Sequence, residues 1–376
     1  MLPALIFLLA FTGTTLTTAD DCIRLWGDVS YACVCNATYC DDITPAELES
    51  LPSGQFRHYI SDIQHYRFWR TTEDFKAETN NETSTAHFTL DLSKLYQEIL
   101  GFGGAMTDSA ALNIANLSAP AQELLLRSFF SSEGQEFTFI RTPMAASDFS
   151  VRHYVYDDVE GDVTLQNFSL VVEDLQFKMW INEQMRNASS GLAVHFYMDS
   201  VNNTDILDRV HQDFPEKFIL STEACNGTGK PVVIGSWERG EGYSTDIIQV
   251  LTHWGSGWVD WNLALNPDGG PNIEGIFTDA QIIVNSTSDE FYKQPIFYHL
   301  AHFAKFIPPG SRRADLTTED GKGVEGVAFL TEDQVAVIVL LNRSEKNLTV
   351  AITDKEQRNV EVLVEKRTIH TILYNN

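Results

Sequence analysis

The stretch KFILSTEAC, Lys217 to Cys225, runs from a short apolar segment into a single carboxylate, Glu223. The segment has the length and composition of a buried strand, so Glu223 falls at the carboxyl end of that strand. In parallel-strand enzymes this end carries the chemistry, because the strand ends meet on one face of the sheet. A carboxylate in that place can act as a nucleophile or transfer a proton.

Five further polar or aromatic side chains follow predicted strands in the same manner: Arg141, Asp148, His195, Tyr197 and Trp261. Each has an ordinary structural explanation, since Arg141 could pair with Asp148 and the aromatic side chains could be core residues. Together they suit a sugar, whose ring stacks on aromatic faces and whose hydroxyls need several polar partners. The set therefore favours a carbohydrate-binding catalytic site around Glu223.

The order of the predicted elements places these residues in an α/β region. Between Leu100 and Phe306, helical segments such as PAQELLLRSFF alternate with strand segments such as GLAVHFYM, which indicates βα units. Alternating strand patterns before Leu95 and after Phe306 predict a β-sandwich built from both ends of the chain. We therefore expect the α/β region to be inserted between the two parts of the sandwich.

Composition and the N-terminus indicate a secretory route. The chain has 376 residues and a formal net charge of −26, and such acidity argues against nucleic acid as a partner. Residues 1–19 predict a signal peptide, and no other segment has the apolar length of a membrane span. Sequons for N-glycosylation are abundant: Asn36, Asn81, Asn116, Asn167, Asn187, Asn202, Asn226, Asn285, Asn342 and Asn347.

Four of the five cysteines crowd into one short segment: Cys22, Cys33, Cys35 and Cys40. In a secreted chain this density predicts disulfides, although four cysteines allow three pairings. A zinc site is the weaker interpretation, because the segment has neither a C-x-x-C pair nor a nearby histidine. The remaining cysteine, Cys225, is predicted to be a buried free thiol.

Other reaction classes lack their motifs in this sequence. GFGG has no Gly-Lys-Ser/Thr of a phosphate loop, and neither HExxH nor G-x-S-x-G occurs. His299 and His302 have helical spacing but lie among aromatic residues, so core packing is a better interpretation than metal ligation. We expect no metal and no cofactor.

Several motifs resemble those of the lysosomal glucosylceramidase family. They include CVCNATYCD, GFGGAMTDSAALNI, IRTPMA, AVHFYMD, STEAC, GWVDWNLALNPDGGPN and FYKQPIFYHLAHFAKFIPPGS, and they run from about Cys22 to the C-terminus. The resemblance implies a (β/α)8 TIM barrel inserted into an antiparallel β-sandwich, with a small disulfide-containing sheet. It also implies a lysosomal or secreted hydrolase that cleaves glucosylceramide to glucose and ceramide with retention. Its substrate would lie on an anionic membrane surface, with a saposin-type activator and no metal.

Matched motif by motif, the resemblance assigns a role to each site residue. The family's nucleophile falls on Glu223, and its glucose-contacting arginine and aspartate fall on Arg141 and Asp148. The sugar-stacking tryptophan falls on Trp261, and the pocket-lining histidine and tyrosine on His195 and Tyr197.

The resemblance also implies disulfides Cys22–Cys33 and Cys35–Cys40, and it sets domain boundaries. After the signal peptide we predict three parts. A small antiparallel sheet is formed by 22–45 with 262–295, and a β-sandwich by 46–96 with 306–376. The barrel is formed by 97–261 with 296–305.

One departure from the family concerns the second catalytic carboxyl. The family's acid/base is the glutamate of an Asn-Glu-Pro motif on a strand well before the nucleophile, and no Asn-Glu-Pro occurs here. NFSLVVEDLQFK is followed almost directly by MWINEQMRNASS, although the equivalent segments are far apart in the family. Only about four or five strands are predicted for the barrel, against eight for a closed one. We therefore predict an internal deletion and an incomplete barrel.

Glu183, in WINEQ, is a weak substitute for the acid/base, because its segment reads as an amphipathic helix before a strand. Three hypotheses follow. The chain could be a retaining glucosylceramidase impaired by the missing segment, or a non-catalytic secreted form that binds glycolipid. It could also be an incomplete gene model or splice form that lacks coding sequence near Lys178 and Met179.

Overall fold

A computed structural model describes residues 22–79, 85–162, 164, 166–175, 192–195 and 205–376. The predicted signal peptide (1–19), the junction at Lys178 and Met179, Glu183 and Tyr197 lie outside the described residues. Within these ranges, no helix has both the length and the apolar character needed to cross a membrane.

The elements follow in chain order. The N-terminal part contains β1 (Ile23–Trp26), β2 (Tyr31–Asn36), a 3-10 turn (Leu48–Ser50), β3 (Gln55–Asp62), β4 (Trp69–Asp74) and β5 (Ala86–Glu98). The α/β part contains β6 (Gly101–Ala105), α1 (Asp108–Ala115), α2 (Ala119–Phe130), β7 (Phe139–Arg141), β8 (Leu192–His195), α3 (Asp205–Asp213), β9 (Ile219–Glu223), α4 (Trp237–Thr252) and β10 (Gly255–Asn262). There follow β11 (Ala264–Leu265), β12 (Ile282–Asn285), β13 (Glu290–Lys293) and α5 (Pro295–Ala304). The C-terminal part contains β14 (Arg312–Asp320), β15 (Glu325–Leu330), β16 (Val335–Asn342), β17 (Leu348–Asp354), β18 (Asn359–Val364) and β19 (Thr368–Asn375).

A parallel sheet of five strands, in the order β7-β6-β10-β9-β8, forms the centre of the α/β part. The first strand, β6, pairs with its successor β7 and also with the last strand, β10, which is the pairing that closes a (β/α)8 barrel. The chain therefore contains both strands of the seam at which a barrel closes, β6 and β10. The described residues between Arg141 and Leu192 add no strand to this sheet.

Glycines in GFGG allow β6 to lie close to its neighbours. A Cβ at Gly103 would collide with the Phe139 carbonyl, and one at Gly104 would lie 2.5 Å from the Leu263 side chain. The motif is thus explained by packing between strands, in keeping with the close backbone approach that glycine permits.

Strands from both ends of the chain share a nine-stranded sheet, in the order β18-β17-β5-β14-β15-β16-β19-β3-β4. Its pairs are antiparallel except β17 with β5, which is parallel. The prediction of a shared, antiparallel β structure from both termini agrees with this order, and the one parallel pair was not predicted. The parallel pair joins residues far apart in sequence, which no local pattern can indicate.

A second five-stranded sheet, in the order β1-β2-β13-β12-β11, carries both disulfides. Cys22 bonds Cys33 and Cys35 bonds Cys40, as the resemblance implied, while Cys225 is a buried free thiol. The sheet is antiparallel except for the short pair β11 and β12.

Helix α5 joins the barrel to the sandwich, and every residue in it is buried. His299 bonds the Ser244 hydroxyl of α4 at 2.8 Å. His302 bonds Thr371 of β19 at 2.8 Å and Ser61 of β3 at 2.9 Å. The prediction that these two histidines are core residues is therefore confirmed.

Asn342 is a buried structural residue, although it begins a sequon. Its amide nitrogen donates to the carbonyls of Lys346, Val364 and Glu365 at 2.8, 3.2 and 2.8 Å. A glycan on that nitrogen is incompatible with these bonds, so the folded protein cannot carry one at Asn342.

We predict that Asn342→Asp destabilises the sandwich by at least about 2 kcal/mol, because a carboxylate oxygen would face three carbonyls without a proton to donate. Urea unfolding monitored by circular dichroism measures the change. The matched control is Asn347→Asp, since this exposed side chain accepts a bond from Lys366 through its oxygen, which Asp keeps. Equal midpoints for the two variants would contradict the assignment.

Candidate active site

Three polar side chains converge at the carboxyl end of the parallel sheet. Arg141 is the last residue of β7, His195 the last of β8 and Glu223 the last of β9. Arg141 and Glu223 are separated by 82 positions in sequence, yet the pairings of β7, β6, β10 and β9 bring them into contact. Sequence reasoning thus placed these residues at the correct strand ends.

Glu223 lies between two cationic or polar groups. Arg141 Nη1 donates to Glu223 Oε2, and His195 Nδ1 lies 3.8 Å from Glu223 Oε1. The Glu223 side chain is only 13% exposed, whereas that of His195 is 46% exposed. A carboxylate that is largely shielded from water but held by a guanidinium stays available for reaction in a defined orientation.

Trp261 is more deeply buried than we expect for a residue whose ring stacks on a sugar. It is 5% exposed, and the Arg141 guanidinium carbon lies 4.4 Å from the centroid of its ring. The Phe149 ring meets it edge-on, with centroids 6.3 Å apart. Stacking of a sugar on Trp261 therefore stays a prediction, and the ring face that Arg141 covers would be available only if Arg141 moved.

Asp148 lies in the loop after β7 and is held there by its backbone, since its carbonyl accepts from the Ile273 amide at 2.9 Å. Burial raises the pKa of the Asp148 carboxyl, and the negative charge of Glu223 raises it further, while the Arg141 charge opposes both effects. Asp148, Arg141 and Glu223 therefore share one electrostatic environment.

A buried polar layer behind these residues was missed from the sequence. Thr107 caps α1 by accepting from the Ala110 amide and donates its hydroxyl proton to Asn262 at 2.7 Å. Asp260 is 1% exposed and accepts a bond from the Tyr243 hydroxyl. The signal in the sequence was Asp260 itself, a carboxylate inside β10, and every residue of that strand is buried.

Within the described part of the chain, one group of side chains has metal-ligand spacing, namely Cys35, Cys40 and Asp41. Both sulfurs belong to a disulfide, and the Asp41 carboxylate pairs with Lys293 Nζ at 2.8 Å. This group is therefore a structural feature of the small sheet.

Comparisons with known proteins agree with the barrel and sandwich. Residues 99–190 and 180–307 match the TIM-barrel domain of glycosyl hydrolase family 30, and residues 310–372 match the beta sandwich domain of the same family. Among solved structures, SrfJ from Salmonella typhimurium has the same fold, with a TM-score of 0.77 and 18% identity over 86% of this chain and 100% of that chain.

Two curated relatives extend over nearly the whole chain. Lysosomal acid glucosylceramidase of Mus musculus is 33% identical, with 95% of this chain and 96% of that protein aligned. Putative glucosylceramidase 4 of Caenorhabditis elegans is 28% identical, with 99% and 98% aligned. The chain therefore belongs to glycosyl hydrolase family 30 and, within that family of glycosidases, to the glucosylceramidases.

Proposed function

We propose that the chain is a retaining β-glucosidase of glucosylceramide in which Glu223 is the nucleophile. The observation that carries the proposal is the contact between Arg141 and Glu223 at the carboxyl end of a parallel sheet with barrel order. The similarity to the mouse lysosomal acid glucosylceramidase supports the substrate and a lysosomal location. We extend the proposal to an anionic membrane surface and a saposin-type activator, which rest on the resemblance alone.

The geometry assigns a task to each group. Glu223 would attack the anomeric carbon with the oxygen that Arg141 does not hold, the bond from that carbon to the leaving oxygen would break, and a covalent glycosyl-enzyme would result. The leaving oxygen departs with the bonding electrons and takes a proton from an acid or from water. Arg141 keeps the carboxylate oriented through Oε2, and His195 Nδ1 lies near Oε1, the attacking oxygen. Asp148, whose pKa is raised, would bind sugar hydroxyls as donor or acceptor.

The second carboxyl required by a retaining mechanism is the missing part. Such a group lies about 5 to 5.5 Å from the nucleophile, protonates the leaving oxygen and then activates water. The resemblance places it on a strand before Glu223, and the region between Arg141 and Leu192 contributes no described strand. Glu183, the weak substitute, lies outside the described residues.

Two alignment features support an internal deletion. The alignment with the mouse protein spans 498 positions, whereas this chain has only 376 residues, so well over a hundred positions face a gap in this chain. The match to the barrel domain is also made in two pieces, which meet at residues 180–190. This is close to the junction proposed at Lys178 and Met179.

A chain without the acid/base would retain the nucleophilic step and lose the assistance to the leaving group. That assistance contributes on the order of a hundred- to ten-thousand-fold. We therefore propose that this form cleaves activated aryl glucosides and turns over glucosylceramide poorly.

The same deletion favours two alternatives, a secreted form that binds glycolipid without turnover and an incomplete gene model. Calorimetry with glucosylceramide, together with a turnover assay, tests the first. Binding without turnover would support it, and clear turnover would exclude it. Transcript reads across Lys178 and Met179 test the second, because an inserted Asn-Glu-Pro segment would identify missing coding sequence.

We predict that a dinitrophenyl glucoside fluorinated next to the anomeric carbon labels Glu223 covalently, and that Glu223→Gln lowers the labelling rate by at least about a thousandfold. Mass spectrometry of the peptide after digestion measures the adduct. Glu216→Gln is the matched control, because Glu216 lies seven residues earlier on the same segment and is exposed. Undiminished labelling of Glu223→Gln, or an adduct on another carboxylate, would exclude Glu223 as the nucleophile.

We also predict opposite shifts in the pKa of Asp148 for two substitutions. Glu223→Gln removes a negative charge and lowers that pKa, whereas Arg141→Gln removes a positive charge and raises it. Carbon NMR of aspartate carboxyls measures both shifts, and Asp279, which pairs with Arg239, is the internal reference. Shifts of the same sign would show that the pKa of Asp148 does not respond to the charges of both Glu223 and Arg141.

A further inference from the structure

A group of hydrogen bonds among described residues lies next to Glu223 and Trp261. It contains the Asp260 carboxyl on β10, the Tyr243 hydroxyl on α4, the Trp261 amide and the carbonyl of Ala224. Asp260 is 1% exposed and Tyr243 is 0% exposed. Since Ala224 directly follows Glu223, any force on its carbonyl acts on the backbone that carries the nucleophile.

Asp260 is surrounded by donors. Its Oδ1 lies 2.6 Å from the Tyr243 hydroxyl and 2.9 Å from the Trp261 amide nitrogen, and its Oδ2 lies 2.7 Å from Gln281 Nε2. Gln281 is itself fixed, because its side-chain oxygen accepts from Gln135 Nε2 at 2.9 Å. The carboxyl therefore has little freedom to rotate.

Among the described contacts, the single hydroxyl proton of Tyr243 has two acceptors within reach. Its oxygen lies 2.6 Å from Asp260 Oδ1 and 3.5 Å from the Ala224 carbonyl oxygen. If Asp260 is ionised, the proton must point to Asp260, and the Ala224 carbonyl keeps only the Trp261 amide, at 2.7 Å. If Asp260 carries a proton, it donates to the Tyr243 oxygen, and the Tyr243 proton turns to Ala224.

We propose that Asp260 is a positioning residue for the nucleophile: when protonated, it turns the Tyr243 hydroxyl toward the Ala224 carbonyl and so fixes the backbone beside Glu223. That carbonyl then accepts hydrogen bonds from two donors, Trp261 and Tyr243, instead of from Trp261 alone. This inference rests on the proposed function, because fixing Glu223 matters only if Glu223 reacts.

Acidic conditions favour the protonated arrangement. Burial raises the pKa of Asp260 to about 7, although the bonds from Tyr243, Gln281 and Trp261 oppose the shift. Asp279 adds a raising effect, and its own charge is balanced by Arg239.

Two other charged groups on the elements packed around Asp260 have partners among the described residues. On β9, Glu223 pairs with Arg141, and on α4, Asp246 accepts a bond from Trp258. Because the folded state holds this proton more tightly than the unfolded chain, the linked stability is greatest at acid pH. It is lost as pH rises from the ordinary value of 3.8 to about 7.

The test compares the pH profile of Glu223 labelling in three variants of the full chain. In the wild type the labelling rate falls as pH rises through about 7. Asp260→Asn can donate to Tyr243 at every pH, so it keeps the acid rate within about threefold and loses the decline. Tyr243→Phe removes the bridge and lowers the rate at least about tenfold at acid pH.

Asp246→Asn is the matched control. Asp246 is a second buried carboxyl beside β10, at 7% exposure, and it accepts from the Trp258 indole at 2.6 Å. It should keep the wild-type profile. A wild-type profile in Asp260→Asn, or the same change in Asp246→Asn, would overturn the inference.

A second measurement decides the inference without catalysis. In carbon-labelled protein, the Ala224 carbonyl resonance should titrate near pH 7, Asp260→Asn should abolish the titration, and Tyr243→Phe should remove most of it. Absence of titration in the wild type would overturn the inference. If the wild type is never labelled at Glu223, the proposed function fails, and this titration still tests the positioning of Ala224.

Discussion

The pairing of β6 with β10 is the constraint on which the site depends. It joins the first and last strands of the barrel, so that the ends of β7 and β9 lie on one face although they are distant in sequence. The glycines of β6 permit this approach, since a side chain at Gly103 would collide with β7. Arg141 can therefore hold Glu223, and a shift of one strand along another would separate them.

The remaining structure supports this seam from two sides. Helix α5 connects α4 with sandwich strands β3 and β19 through two buried histidines, and the small sheet is fixed by two disulfides. A barrel with five described strands has less internal closure than a complete one. The framework formed by the other two sheets is thus important for keeping β9 and β10 in place.

Glu223, Arg141 and His195 could be predicted because each ends a recognisable strand, and parallel strand ends meet on one face. The layer of Asp260, Tyr243 and Gln281 could not, because its members come from different elements and its function depends on proton positions. The environment of Trp261 could not be predicted from the sequence either. Its type suits a sugar, but only the structure places the Arg141 guanidinium over its ring.

The proposed function combines a held carboxylate, Glu223 as nucleophile, with no identified proton donor for the leaving group among the described residues. The dependence of the cleavage rate on the leaving group of aryl β-glucosides tests this most directly. If no acid assists, the rate falls steeply as the pKa of the leaving phenol rises, and glucosylceramide reacts slowest of all. A flat dependence, with glucosylceramide cleaved as fast as a dinitrophenyl glucoside, would contradict the account and reveal a working acid/base.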